Sequence, residues 1–208
     1  MTTHGGLVIK RVKLEIELLH PTQVTVGMLE VEEKRRHFQS LSGNDLRRAI
    51  KALPMPAVLG RDGKHFIIDH HHLGRALWDA QIEYAHVERV CDLSKLATEA
   101  FWNEMALKRW VHPYDEQGIL HGIAAIPSHV SGLVDDPFRS LAAFVRDAGG
   151  YAKTPEPFAD FQWADFFRTR IRLWTTPFQF TAAVHQGEYL AKSPDARVLP
   201  GFIGGQKS

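Results

Sequence analysis

The chain has 208 residues, enough for one large domain or for a domain of about 100 to 150 residues with a substantial extension. Its composition, 44% hydrophobic and 24% charged, is that of an ordinary globular protein, and 25 Lys plus Arg against 24 Asp plus Glu leave no bulk field to attract a nucleic acid or an anionic membrane. One cysteine, Cys91, excludes an intrachain disulfide and a zinc site built on several cysteines, which suits a reducing compartment.

The opening segment Met1-Thr2-Thr3-His4-Gly5-Gly6 has no charged region followed by an apolar run. No stretch approaches the roughly 18 apolar residues of a membrane span, so a soluble, cytoplasmic protein is expected. Val12, Leu14, Ile16 and Leu18 alternate with charged residues, a period of two that predicts a strand solvated on one face. His20-Pro21-Thr22-Gln23 breaks it. Gly27 to Phe38, acidic early and basic late, reads as a helix, and Ser42-Gly43-Asn44-Asp45 as a capping box opening a second one with Leu46, Ile50 and Leu53 on one face. Pro54-Met55-Pro56 stops that helix, and Ala57 to Ile68 forms a hairpin about the Asp62-Gly63 turn.

The hairpin delivers Asp69-His70-His71-His72 to a strand end, and Leu73, Ala76, Leu77 and Ala80 then recur at helical spacing. Tyr84 to Leu93 is a further strand, and Ser94 caps a helix reaching about Trp110. Residues 113 to 136 show glycines and prolines without a clear element. Pro137 to Ala148, Pro157 to Arg172 and Pro177 to Ala191 each read as a helix with a proline near its first turn, before an irregular tail from Ser193 to Ser208. The expected organisation is an α/β portion over 7–93, a mainly helical extension packed on it over 94–192, and a tail over 193–208.

The acid-histidine turn concentrates the chemistry. Asp69 at a strand terminus can accept a proton or bind a divalent metal, and it can equally cap the helix that follows. In extended backbone Asp69 and His71 share one side and His70 and His72 the other, a pairing that changes if the helix begins at once. Histidines there can donate to phosphate or shuttle a proton, but successive ones do not converge on one tetrahedral metal, so no protein-built metal site is expected. Thr22 and Gln23 lie in a loop that can contact a base or sugar. Lys34 can neutralise phosphate or pair with Glu30, and Arg75 can project back over the turn. Arg139 sits in the first turn of its helix, against the dipole preference, which calls for a partner such as Asp136 or a phosphate. Lys153 follows the Gly149-Gly150-Tyr151 turn. Arg168, Arg170 and Arg172 read as a partly solvated face, and Phe161, Trp163, Phe166, Phe167, Ile171 and Trp174 as core.

Pro21-Thr22-Gln23, Val26-Gly27, Glu30-Val31, Lys34, Asp69-His70-His71-His72, Asp136-Pro137-Phe138-Arg139-Ser140-Leu141 and Gly149-Gly150-Tyr151-Ala152-Lys153 resemble the ParB-like/sulfiredoxin superfamily, and within it the branch of ParB-like nucleases, over about residues 12 to 172. The resemblance implies a small mixed-sheet α/β domain that binds nucleotide phosphate at the strand-to-helix turn. The Gly-Glu-Arg-Arg of CTP-binding ParB proteins is replaced here by His70, His71, His72 and Leu73, and the sulfiredoxin cysteine is absent. The serine kinases of the superfamily carry Asp-Gly-His-His-Arg, matching Asp69, His71 and His72 but with a glycine at His70 and an arginine at Leu73. Their helical glutamate corresponds to Glu30, with Glu33 in reserve.

The implied protein is an enzyme acting by phosphodiester hydrolysis or phosphoryl transfer, with Asp69, His71, His72 and Glu30 catalytic. Thr22, Gln23, Lys34, His70, Arg75, Arg139 and Lys153 would bind the nucleotide or phosphate. ATP or CTP with Mg²⁺ is the implied cofactor, a nucleotide or small phosphorylated molecule the partner, and DNA or RNA a substrate without an evident basic face. A small-molecule phosphotransferase and a non-catalytic nucleotide-responsive module are the alternatives.

Overall fold

The period-two segment becomes β1 (Lys10–Glu15), an edge strand alternating between exposed and half-buried residues. The computed structural model describes residues 10–204. Residues 7–9 of the expected α/β portion and 205–208 of the expected tail therefore lie outside the described residues. By compactness the described chain divides into two units, one of residues 10–25, 31–115 and 120–134, the other of 26–30, 116–119 and 135–204. Helix α4 (Thr98–Leu107) and, residues 116–119 excepted, the loop to residue 134 group with the sheet, so this division does not coincide with the one expected after residue 93.

In the first unit the alternating pattern does not run on as a strand to Leu18. A 3-10 turn, Ile16–Leu18, redirects the chain into β2 (Leu19–His20). The five-stranded mixed sheet has the order β1-β6-β4-β5-β2, with β4 (Met55–Leu59) central, β5 (His65–Ile67) antiparallel to it, and β6 (Tyr84–Asp92) parallel to it. β1 and β2 are thus opposite edges separated by three residues of chain. Four strand spacings make about 19 Å, more than the roughly 14 Å that such a link can span, so the sheet must curl. Asp62 and Gly63 take positive φ of 57° and 75°, which is the hairpin-turn chemistry the Asp-Gly pair signals.

Helix α2 (Gly43–Ala52) starts where expected, but no capping box forms. The Ser42 side chain makes no cap bond, and Asp45 turns instead to Arg48 one turn on. Ser94 does not cap a helix either. Its amide and hydroxyl both donate to Asp92 Oδ1, and α4 begins only at Thr98 and ends at Leu107, before the left-handed Arg109. On one face of the sheet, Phe101 and Met105 of α4 bury against Val58. On α3 (His71–Asp79), Gly74 lets the helix approach Ile67, Met55 and Val130 closely.

In the second unit, α5 (Pro137–Asp147), α6 (Ala159–Arg168) and α7 (Pro177–Ala191) pack around Leu141, Trp163 and Phe167, all fully buried. Pro137 and Pro177 occupy the first turns, and Asp136 and Thr176 accept from Phe138 N (2.9 Å) and Gln179 N (3.2 Å), two side-chain caps. α6 is shorter than the expected 157–172, since left-handed Phe158 precedes it and the chain leaves the helix after Arg168. The expected tail is partly ordered: Pro194–Ala196 makes a 3-10 turn, and Trp163 Nε1 donates to Pro200 O at 2.8 Å.

Arg168, Arg170 and Arg172 form a partly solvated face, with Arg168 half-buried and the other two exposed. Arg168 also donates to Asp136 at 2.9 Å, a partner the linear pattern did not give, and Asp136 is only 1% exposed. The cap of α5 and the counter-ion of Arg168 are the same carboxylate.

β3 (Thr25–Val26) and β7 (Val134–Asp135), short strands that no periodicity announces, pair with each other. Gly27 follows β3 and opens α1 (Met28–Ser40). A Cβ there would lie 2.6 Å from Ser140 Oγ and 2.8 to 2.9 Å from its backbone N and Cα. Gly27→Ala should therefore cost about 1–3 kcal/mol through overpacking against a backbone that cannot yield. Urea denaturation measures it, and unchanged stability would show that the contact relaxes freely.

Candidate active site

In the first unit the β5 strand ends at Ile67, and two residues later Asp69 stands exposed at the head of α3. Its Oδ1 accepts from the His70 amide at 2.6 Å. Asp69 is thus not the helix N-cap. His70 is, in the left-handed region at φ 63° and ψ 28°, and its side chain makes no cap bond. A histidine there is uncommon and strained relative to glycine, and such strain is characteristic of functional turns. The helix begins at once with His71, so the alternation of an extended segment does not apply and the three histidines fan out by helical rotation.

His71 turns inward and is 3% exposed. Its Nε2 accepts the Thr22 amide at 3.1 Å, while Thr22 Oγ1 donates to Ile67 O at 2.9 Å. Accepting at Nε2 places the proton of the neutral ring on Nδ1. Burial lowers the His71 pKa to about 4, against the opposing effects of the Asp69 charge and a hydrogen bond to the Ile67 backbone. His71 is therefore an uncharged acceptor near pH 7, tying the helix head to the loop. His70 is exposed and His72 half-buried, so the surface of the turn carries Asp69 with those two.

The loop expected to contact a base or sugar is used internally. Thr22 is 1% exposed, and Gln23 Nε2 donates to Thr25 O at 2.6 Å. His112, just past the expected helix end at about Trp110, clamps this loop: its amide donates to Thr22 O at 2.9 Å and its carbonyl accepts from Val24 N at 3.3 Å. A lone histidine before a proline gives no sequence signal for that role. Arg75 does not reach back over the turn. It pairs with Asp79 at 2.9 Å and donates to Leu133 O at 2.6 Å and Ser131 O at 3.1 Å, fastening the loop before β7 to α3. Lys34 is an exposed residue of α1.

The second unit gathers a different set. Arg139 donates to Glu30 at 2.9 Å and lies 3.0 Å from Asp160, so its partners are these carboxylates and not Asp136. Asp160 also binds Arg146 and accepts from Tyr151 Oη at 2.9 Å. Burial works to raise the Asp160 pKa, but the Arg139 and Arg146 charges outweigh it and hold the group below its usual range. Asp160 escaped the sequence reading because nothing in its local pattern separates it from a surface acid in a first helical turn. Lys153 is exposed, next to the buried Tyr151.

Among the described residues no three His, Cys, Asp or Glu side chains gather to hold a metal. Mg²⁺ bound with phosphate needs only one or two carboxylates, and Asp69 is the exposed acid at the turn that fits. No described helix is long and apolar enough to cross a membrane.

The sheet, the acid-histidine turn and the helices after it have counterparts elsewhere. The family model described as "Putative ParB-like nuclease" matches residues 12–169. The chain belongs to this ParB-like nuclease family. The fold agrees: the crystal structure of protein Atu1540 from Agrobacterium tumefaciens superposes with a TM-score of 0.88 at 37% identity, covering 96% of this chain and 99% of that one. No curated protein matches the chain.

The His71 tie should make stability pH-dependent. The ring is neutral in the folded state down to about pH 4 but takes up a proton near 6.5 when unfolded, so its contribution is complete above 6.5 and is lost as pH falls towards 4. The loss amounts to about 3 kcal/mol. Denaturation midpoints of wild type and His71→Gln between pH 4 and 8 measure it. The difference should shrink as pH falls, and a pH-independent difference would remove the neutral buried imidazole from the account.

Proposed function

We propose that this ParB-like nuclease family member binds a nucleotide phosphate at the Asp69–His72 turn and hydrolyses a phosphodiester there. The observation that carries the reading is the division of labour at the turn. His71 is buried, neutral and committed to Thr22, while Asp69 stands exposed beside the start of a helix whose N-cap side chain leaves it uncapped. Helix N-termini favour anions, and the acid adjoins the place where a phosphate would rest.

In this reading Asp69 takes a proton from the attacking water as the new O–P bond forms. The P–O bond to the leaving group breaks, and the departing oxygen is protonated by His72. His70 donates to a non-bridging phosphate oxygen. Asp69 is the residue that would hold Mg²⁺, and the ion would supply neutralisation of the phosphate charge. His71 positions the turn, and Thr22 acts through it. Glu30 and Arg139 neutralise each other in the second unit and take no part in the chemistry. The nucleotide-binding portion is assigned to residues 7–93 and the compartment to the cytoplasm, in keeping with the unpaired Cys91.

Two measurements test this. ATP, CTP and a short oligonucleotide, each with and without Mg²⁺, should raise the melting temperature of the wild type. Metal-dependent cleavage of DNA or RNA should fall by about 10²-fold or more in Asp69→Asn, with the melting temperature of the free protein kept. Cleavage surviving that change would remove Asp69 from the reacting centre. Transfer of the ATP γ-phosphoryl group to a small hydroxyl compound would favour the phosphotransferase alternative, and nucleotide binding without turnover the non-catalytic one.

A further inference from the structure

A cavity of about 370 Å³ lies within the first unit, on the α4 face of the sheet. That is within the range of small-ligand sites. Its wall is aromatic. Phe66 of β5 meets Phe101 and Trp102 of α4 with ring centroids 4.8 and 5.3 Å apart, and the His20 ring of β2 lies 5.2 Å from that of Phe66. Gly60 makes the arrangement feasible, since a Cβ there would lie 2.6 Å from the Phe66 ring. Phe66 and Trp102 are only partly buried, so their rings border the cavity as well as the core.

The rim is cationic. Arg61 and Lys64 stand exposed on the β4–β5 hairpin tip, and among the described residues neither forms an ion pair. Asp62 is the single acid among the lining residues. Residues of the segment Ile123 to Ser128 complete the lining, and the segment is fastened to His20 by a 2.7 Å hydrogen bond from Nδ1 to Ser128 O. An aromatic wall beneath unpaired cations matches a flat π-system carrying negative charge. An apolar peptide would use the rings but leave the cations without a purpose, and a simple anion would leave the rings unused.

We propose that this cavity is a second binding site that takes a nucleobase with its attached phosphate. The base stacks on Trp102 and meets the Phe66 ring, which stands at 80° to Trp102, edge to face, and the phosphate meets Lys64 and Arg61. The unit comes either as a free mononucleotide or as one residue of a single-stranded chain. The site is built from residues other than the Asp69–His72 turn and does not depend on hydrolysis there.

The test titrates the full-length protein, in EDTA, with AMP and dTMP by calorimetry and with fluorescein-labelled ten-residue oligo(dT) by anisotropy. Wild type, Asp69→Asn, Lys64→Glu and Trp102→Ala are compared. Lys64→Glu lies on an exposed turn and should weaken binding about tenfold or more without lowering the melting temperature. Trp102→Ala should weaken it about tenfold or more through lost stacking. Asp69→Asn should leave this binding unchanged. Binding of AMP or dTMP assigns the free nucleotide as the source, and binding of the oligonucleotide alone assigns the strand. No binding of any probe, binding indifferent to Lys64→Glu, or binding lost equally in Asp69→Asn would overturn the second site.

Discussion

One hydrogen bond organises the candidate site. The Thr22 amide must find an acceptor because the loop that carries it is buried, and His71 Nε2 supplies that acceptor at 3.1 Å. An unsatisfied buried amide costs about 1–3 kcal/mol, and a charged imidazole in the same place could not accept at all. The bond therefore fixes both position and protonation state. It holds the head of α3 against the end of β2, and it removes His71 from the set of groups that can meet a ligand. Asp69 is left outside because the chain must pass through the left-handed His70 to bring His71 in.

Buried charge in the second unit is likewise met by opposite charge, although Arg139 Nε is left without a hydrogen-bond partner among the described residues. Arg139 stands between Glu30 and Asp160, Arg146 also binds Asp160, and Arg168 binds the Asp136 that caps α5. Pairs of this kind gain little net stability against their desolvation, while loss of one partner is costly, so they act more as constraints on which helices can pack than as a source of stability. The near balance of charge in the composition is partly this internal pairing.

Much of the architecture was legible in the sequence, and the reasons are local. The Asp62-Gly63 hairpin, α1, α3, β6 and α7 carry either periodicity or turn chemistry that acts over a few residues, and each appears close to its expected bounds, while β1 forms but stops at Glu15. The failures have a common origin. Ser42 and Ser94 looked like caps because of their type, but nearby groups offered other partners: Arg48 drew Asp45 away, and Asp92 engaged Ser94. β3 and β7 are two residues each and exist only by virtue of each other. Arg75, Arg139 and Arg168 looked like surface or ligand-binding cations, because their partners lie in other turns or segments that a linear reading does not join. At the turn, Asp69 and the histidines were recognisable by type and spacing. The inward rotation of His71 was not, since it depends on a helix starting one residue after His70 and on a loop 49 positions earlier.

The central claim is that His71 is a neutral, accepting, structural imidazole, leaving Asp69 as the exposed acid of the turn. Long-range ¹⁵N–¹H correlation spectra of the histidine rings, recorded from pH 8 to pH 5, address it directly. The account predicts that His71 keeps its proton on Nδ1, with unprotonated Nε2, and shows no titration across that range. A protonated Nε2, or a titration midpoint near the ordinary 6.5, would contradict it.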